Sequence, residues 1–303
     1  METLHIRTAP HLHRLQNTPA IMRTVCFSLL PLCLLSTYFF GLSALLLFST
    51  TLIFALLTER LFCLWQKKPS TLNDYSAALT GLLFALTLPP GLPLWMAALG
   101  SIISIAMGKF VFGGLGQNPF NPALVGRAFL MAAFPGALTR WQEPVNDFLA
   151  LSSSTLTLPF LRPQYDGLSA ATALASQKFG GKITDPWILF IGKEPGSLGE
   201  TSFVLIALCG GYLVFKGVAS WRIPLSIIVS VGVCAFTFHS IAPDRFAPPV
   251  FHLCSGGLAL GAFFLATDPV TSPLTGRGMF LFGAFIGVCT FSIRTFGGLP
   301  EGV

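Results

Sequence analysis

Apolar residues recur in long runs along the chain, at 24–41, 43–63, 75–89, 92–112, 120–134, 201–216, 222–241, 251–267 and 278–294. Lipid offers no partners for backbone N–H and C=O groups, so runs of this length predict spanning helices. Three of the nine are short or punctuated. The run at 75–89 ends in Pro89, Pro90 and Gly91, the run at 120–134 begins inside NPFNP at 118–122, and the run at 251–267 leads into Asp268 and Pro269. Broken helices at membrane depth are tolerated where they line protein or a cavity. The pattern predicts an N-terminal arm at 1–23, a first membrane unit at 24–134, a polar segment at 135–200 with little periodicity, and a second membrane unit at 201–303. Loops as long as 135–200 generally carry function or are disordered.

The two membrane units share a pattern. GLLFALTLP at 81–89 and GAFFLATDP at 261–269 both read G-x-x-F-x-x-T-x-P, and KFVFGGL at 109–115 and RTFGGL at 294–299 each place GGL shortly after a basic residue. In glycine- and phenylalanine-rich sequence such matches also arise by chance, and that reading stays open. Alternating sides from a cytoplasmic N-terminus places Arg7, Arg14, Arg23, Arg60, Lys67, Lys68, Lys109, Lys216, Arg222 and Arg277 inside. Only Arg245 and Arg294 fall in the short outside pieces. This asymmetry obeys the positive-inside rule and puts 135–200 outside the cytoplasm. Lys109 is then inside and Arg294 outside, so the repeat is predicted to be inverted. After GGL the first unit continues into one more helix, whereas the second stops at Val303; a final helix is expected to be absent from this sequence.

Composition agrees with a membrane protein. Charged residues are 10% of the 303, mean hydropathy is +0.72, and apolar residues including glycine reach about 63%, against about 45–50% in soluble domains. The formal charge of +6 is dispersed between apolar runs and forms no basic patch, which argues against a nucleic-acid partner and for a lipid bilayer. The seven cysteines have no CxxC spacing, so neither a disulfide framework nor a cluster held by this chain alone is expected. METLHIRTAPHLHRLQ at the N-terminus is polar and basic, unlike a cleaved signal peptide. No zinc-protease, dinucleotide or phosphate-loop motif is present. Glu59 beside Arg60 reads as an interfacial pair.

The stretch DGLSAATAL at 166–174 reads locally as a polar turn entering a short helix, with Asp166 or Ser169 as its N-cap. It also resembles the D-G-x-S-G-A-T flavinylation motif of the NqrB/RnfD family, departing from it at Ala170. The resemblance covers nearly the whole chain. APHLHRLQNTPAIMRTVCFSLLP at 9–31, GKFVFGGLGQNPFNPALVGRAFL at 108–130, GSLGETS at 196–202, ATDPVTSPLTGRG at 266–278 and RTFGGLPEGV at 294–303 are similar to family signatures. The short N-terminal arm and the last two motifs are more like the RnfD branch.

That resemblance implies an all-α polytopic fold, an inverted repeat of five-helix halves with broken half-helices related to urea-transporter-like channels. It implies FMN joined through its phosphate to the Thr172 hydroxyl, with Asp166 and Ser169 read by a dedicated flavin transferase. A second, noncovalent flavin, riboflavin, is implied in the membrane half, where Gly113, Gly114, Gly116 and the NPFNP break expose backbone at a half-helix start; a tight packed turn is the alternative. The implied function is that of a membrane subunit in an Rnf-type ion-translocating ferredoxin:NAD oxidoreductase of the bacterial inner membrane, moving Na+ or H+ with the other Rnf subunits. The alternatives are the NqrB subunit of a sodium-pumping NADH:quinone oxidoreductase, a flavin-free solute channel of the same fold, and a purely structural assembly subunit.

Overall fold

The computed structural model describes residues 17–298 except 146, 160, 162–170, 182–183, 193, 201 and 244. The described residues are helical, with no β-strand among their elements. Helix α1 (Thr18–Trp65) opens on Asn17, whose side chain accepts from Ala20 N–H. It is broken at Gly41, at φ +65° and ψ −150°. A Cβ there would lie 2.8 Å from the Ala150 carbonyl oxygen, so this bend needs glycine for its conformation and for its space. The arms before and after Gly41 match the predicted runs 24–41 and 43–63.

The two arms fold back on each other. Lys109 bonds Glu59 of the second arm and lines the same small cavity as Ile21 and Met22 of the first. On a straight helix residues 22 and 59 would be about 55 Å apart. The molecule therefore has a Gly41 end and a Glu59 end. Helix α2 (Ser76–Leu86) starts at the Glu59 end, where Ser76 accepts from Lys109. It leads to the Gly41 end, where Leu88 O accepts from Leu198 N–H at 3.0 Å. Helix α3 (Leu94–Ile105) returns and continues through a π-helical turn at Ala106–Phe110. Helix α4 (Pro122–Ala133) climbs again from Asn121, which caps it at Ala123 N–H.

Three short helices follow in the segment expected to be aperiodic: α5 (Pro135–Leu138), α6 (Ala173–Gly180) and α7 (Pro186–Ile191). Helix α8 (Phe203–Phe215) and α9 (Arg222–Ile241) then form the next two passes. The predicted run 251–267 is broken. It consists of α10 (Pro249–Cys254), α11 (Leu258–Leu260) and a π-helical turn at Gly261–Leu265, with Gly256 at φ +65° in the break. Helix α12 (Gly276–Phe296) ends with Arg294 donating to the carbonyls of His252 and Ser255.

Helices α1, α9 and α12 are long and apolar enough to cross a membrane. Leu34, Phe236, Leu281 and Phe285 are exposed on them, as side chains facing lipid are. Buried Leu29, Leu47, Phe84, Leu88 and Leu130 knit α1, α2 and α4 into one core. Small residues let backbones approach. Gly283 and Gly287 of α12 face α9, where a Cβ on Gly283 would lie 2.8 Å from Ile223 O.

Candidate functional site

Thr172 is itself the N-cap of α6: its Oγ1 accepts from Ala175 N–H at 3.2 Å, with extended φ and ψ. This corrects the local expectation that Asp166 or Ser169 caps the helix. Both lie outside the described residues, so Thr172 is the member of the predicted triplet that the structure describes.

An eight-residue helix is too short to hold itself together, and α6 is held by what it touches. Ala173 and Leu174 are buried against Leu189 of α7, Ala247 of the loop before α10, and Phe251 of α10. Burial of a leucine side chain contributes about 1.5–3 kcal/mol. At the other end of α6, Lys178 donates to the carbonyls of Arg294 (2.8 Å) and Gly297 (2.5 Å). A cation there satisfies acceptors that α12 leaves open at its C-terminus. Gly181, at φ +64°, closes α6 in the left-handed conformation.

Thr172 borders a narrow cleft with Glu194, Glu200, Cys254 and Gly256. Glu200 belongs to the turn at 196–200, which is clamped to the spanning helices. Ser36 Oγ donates to Leu198 O, Leu198 N–H donates to Leu88 O, and a Cβ on Gly199 would lie 2.8 Å from Leu86 O. Burial pushes the Glu194 carboxyl above its ordinary 4.5, partly offset by a hydrogen bond with Thr184. A carboxyl inclined to keep its proton is a tolerable neighbour for a phosphoester.

The residues fit a phosphate ester but not the whole flavin within the cleft. Thr172 supplies an oxygen at the start of a helix, where backbone N–H groups and the helix dipole favour anionic oxygens. The cleft encloses about 20 Å³, room for little beyond a water molecule, so a ring system would have to lie elsewhere. Thr172 is only 4% exposed, so its hydroxyl is closed off from solvent in this arrangement.

At the Glu59 end, Lys109 is bonded to both carboxylate oxygens of Glu59 at 2.8 and 2.9 Å and to Ser76 Oγ at 2.5 Å. Thr71 Oγ1 also donates to Glu59. Glu59 is fully buried, whereas Arg60 is exposed, so the expected Glu59–Arg60 pair is replaced by Glu59–Lys109. The sequence carried no local signal for this, because the partners are 50 positions apart.

Gly113, Gly114 and Gly116 all have positive φ, and Asn121 Nδ2 crosses to Leu265 O at 3.3 Å. The cavity beside them, shared with Asp268, encloses about 60 Å³, several-fold below the roughly 300 Å³ at which small-molecule pockets begin. A riboflavin ring does not fit there, and nothing is derived through one.

A profile of the NQR2, RnfD, RnfE family matches residues 5–303. The chain is 40% identical over 298 residues to the D subunit of the proton-translocating ferredoxin:NAD(+) oxidoreductase complex of Clostridium ljungdahlii, covering 98% of this chain and 88% of that one. It is 38% identical to the D subunit of the Na(+)-translocating ferredoxin:NAD(+) oxidoreductase complex of Acetobacterium woodii, covering 99% and 87%. It is also 38% identical to the D subunit of the ion-translocating oxidoreductase complex of Yersinia pseudotuberculosis, covering 99% and 92%. With nearly its whole length matched in this way, the chain belongs to the NQR2, RnfD, RnfE family.

Proposed function

We propose that this chain is the flavin-carrying membrane subunit of an Rnf-type ion-translocating ferredoxin:NAD oxidoreductase complex. The observation that carries the reading is Thr172. In a chain at least 38% identical to three D subunits of such complexes, the threonine of the flavinylation-like motif caps a helix docked on the spanning core. Esterified there, FMN supplies a centre that exchanges one or two electrons. The chain's own residues position it. Ala175 N–H and the start of α6 hold the ester oxygen and phosphate, Leu174 and Lys178 lock α6 onto α10 and α12, and the clamped turn at 196–200 holds Glu200 at the cleft.

The proposed orientation puts the Glu59 end in the cytoplasm and Thr172 on the opposite face of a bacterial inner membrane. Lys109, Lys216 and Arg222, which the positive-inside rule assigns to the cytoplasm, lie on or next to helix ends at the Glu59 side. The proposed inverted repeat is supported by the opposite travel of the matching motifs. The segment 81–89 runs toward the Gly41 end, whereas 261–269 runs toward the Glu59 end, where Asp268 and Pro269 line the cavity beside Lys109. Partners on this reading are the other Rnf subunits and a flavin transferase.

The test is in-gel ultraviolet fluorescence of the denatured chain, co-expressed with and without a flavin transferase. A transferase-dependent fluorescent band that disappears in Thr172→Ala is expected. A band that persists in Thr172→Ala would move the attachment site, and a dark gel under every condition would end the electron-transfer reading.

A further inference from the structure

At the Glu59 end, Ala20, Ile21 and Thr24 from the start of α1 and Tyr212, Lys216 and Val218 from the end of α8 line a cavity of about 150 Å³. It has room for several water molecules and falls short of the roughly 300 Å³ at which small-molecule pockets begin. The turn that closes α8 fixes its shape. Gly217, at φ +70°, follows Lys216 and donates to Val214 O, and Val218 N–H reaches back to Leu213 O, both at 3.0 Å. This Schellman closure satisfies the last carbonyls of α8 through the backbone and sets Lys216 at a defined point on the rim.

Aromatic side chains mark the level of the cavity in the bilayer. Trp65, Tyr212 and Trp221 are all exposed at this end, as the amphipathic rings of an interfacial belt are. Away from the cavity, the same helix faces turn apolar. Phe27 and Pro31 follow Thr24 by one and two turns on α1, Leu208 precedes Tyr212 by one turn on α8, and all three are exposed. A ligand seated here has its polar part at the membrane surface and an apolar part along the hydrocarbon, which is the geometry of a phospholipid.

Charge selects among phospholipids. Lys216 Nζ lies 5.7 Å from the centre of the Tyr212 ring, a cation–π contact that keeps the ammonium at the mouth. Arg23 is exposed three positions after Ala20, on a neighbouring part of the same helix face. No carboxylate is among the described residues of the lining. Thr24 donates its hydroxyl proton to Ala20 O at 2.8 Å, so its oxygen can only accept, which suits a hydroxyl on the ligand. We propose that this cavity binds the headgroup of an anionic phospholipid of the phosphatidylglycerol type, with its phosphate beside Lys216 and Arg23 and an acyl chain along Phe27 and Leu208. Helix α1 opens the first membrane unit and α8 the second, so the bound lipid joins the two units at the end away from Thr172.

The test uses the full chain in detergent. Native mass spectrometry counts the lipids retained when phosphatidylglycerol or phosphatidylcholine is added, and one phosphatidylglycerol is expected to stay bound at concentrations where phosphatidylcholine does not. Lys216→Gln should weaken that binding about fivefold, the worth of one basic residue at a membrane surface. Lys68→Gln removes the same charge from an exposed position outside the lining and should change it little. Ala20→Phe keeps every charge but fills the cavity, and should weaken binding at least as much as Lys216→Gln. Melts separate a blocked cavity from a misfolded variant. Phosphatidylglycerol should raise the midpoint of the unaltered chain, whereas Ala20→Phe should melt at the lipid-free midpoint with or without it.

Equal losses from Lys216→Gln and Lys68→Gln would overturn the proposal, leaving only a general attraction between a basic end and anionic lipid. So would equal retention of phosphatidylcholine, which carries no net charge. Displacement of the lipid by millimolar inorganic phosphate would also overturn it, by making the cavity a site for a free anion.

Discussion

Glu59 and Lys109 form a buried ion pair whose worth depends on both partners being present. Lys109→Met alone leaves an uncompensated carboxylate in a dry site, which costs about 3–5 kcal/mol, whereas a double Glu59→Leu/Lys109→Met replacement recovers most of that. Thermal melts of the solubilised variants measure this. A double variant no more stable than the single one would mean that the pair contributes net stability. Glu194 offers a pH test. Unfolded, its carboxyl ionises near 4.5; folded, burial holds the proton to higher pH. The folded state therefore binds more protons in the window above 4.5, and stability falls as pH rises through it. Glu194→Gln should flatten that slope in melts run from pH 4.5 upward, and an unchanged slope would assign it to another group.

Among elements, the contact between α9 and α12 depends on glycine. A Cβ on Gly283 meets Ile223 O and Ser226 Cβ at 2.8 Å, so Gly283→Ala should destabilise by about 1–3 kcal/mol. Gly211 of α8 has nothing within 4 Å, and Gly211→Ala should instead gain up to about 1 kcal/mol from helix propensity. Opposite shifts in melting midpoint are expected, and a loss at Gly211 would reveal a contact with a neighbouring protein or lipid. Both outcomes depend on backbone proximity, which the glycine count of a sequence does not distinguish. The same holds for α6. Its composition permits a short helix, but its existence depends on Leu174 reaching Phe251 and Lys178 reaching the end of α12.

At the scale of the molecule, the chain reads as one member of a larger electron-transfer assembly. Its described elements are helical, and no group of three or more His, Cys, Asp or Glu among the described residues is placed to hold a metal. On the reading of this chain as one subunit of an Rnf-type complex, the flavinylated chain alone should not oxidise NADH, and activity should return when the other members of the complex are added. Loss of the nicotinamide absorbance of NADH in the presence of the purified single chain would overturn that expectation.

The helical type of the elements and the bounds of most of the long apolar helices were legible in the chain itself, whereas the bounds of the three short helices α5, α6 and α7 were not. Long apolar runs in lipid leave the backbone no alternative to internal hydrogen bonding, and Pro and Gly punctuation marks where that bonding stops. Gly41 and NPFNP at 118–122 fall at predicted edges, whereas the break at Gly256 falls inside the run 251–267 that the sequence reads as continuous. The motif around Thr172 can be read in the chain because such a motif is local, and the flavin assigned to it is our proposal. Tertiary structure alone decided the partners: Lys109 rather than Arg60 for Glu59, Thr172 itself as the cap of α6, and Arg294 on the carbonyls of His252 and Ser255. Periodicity records which face of a helix is apolar. Which distant polar group that helix meets depends on how the passes are arranged, and charge, hydrogen bonds and cavities all arise at those meetings.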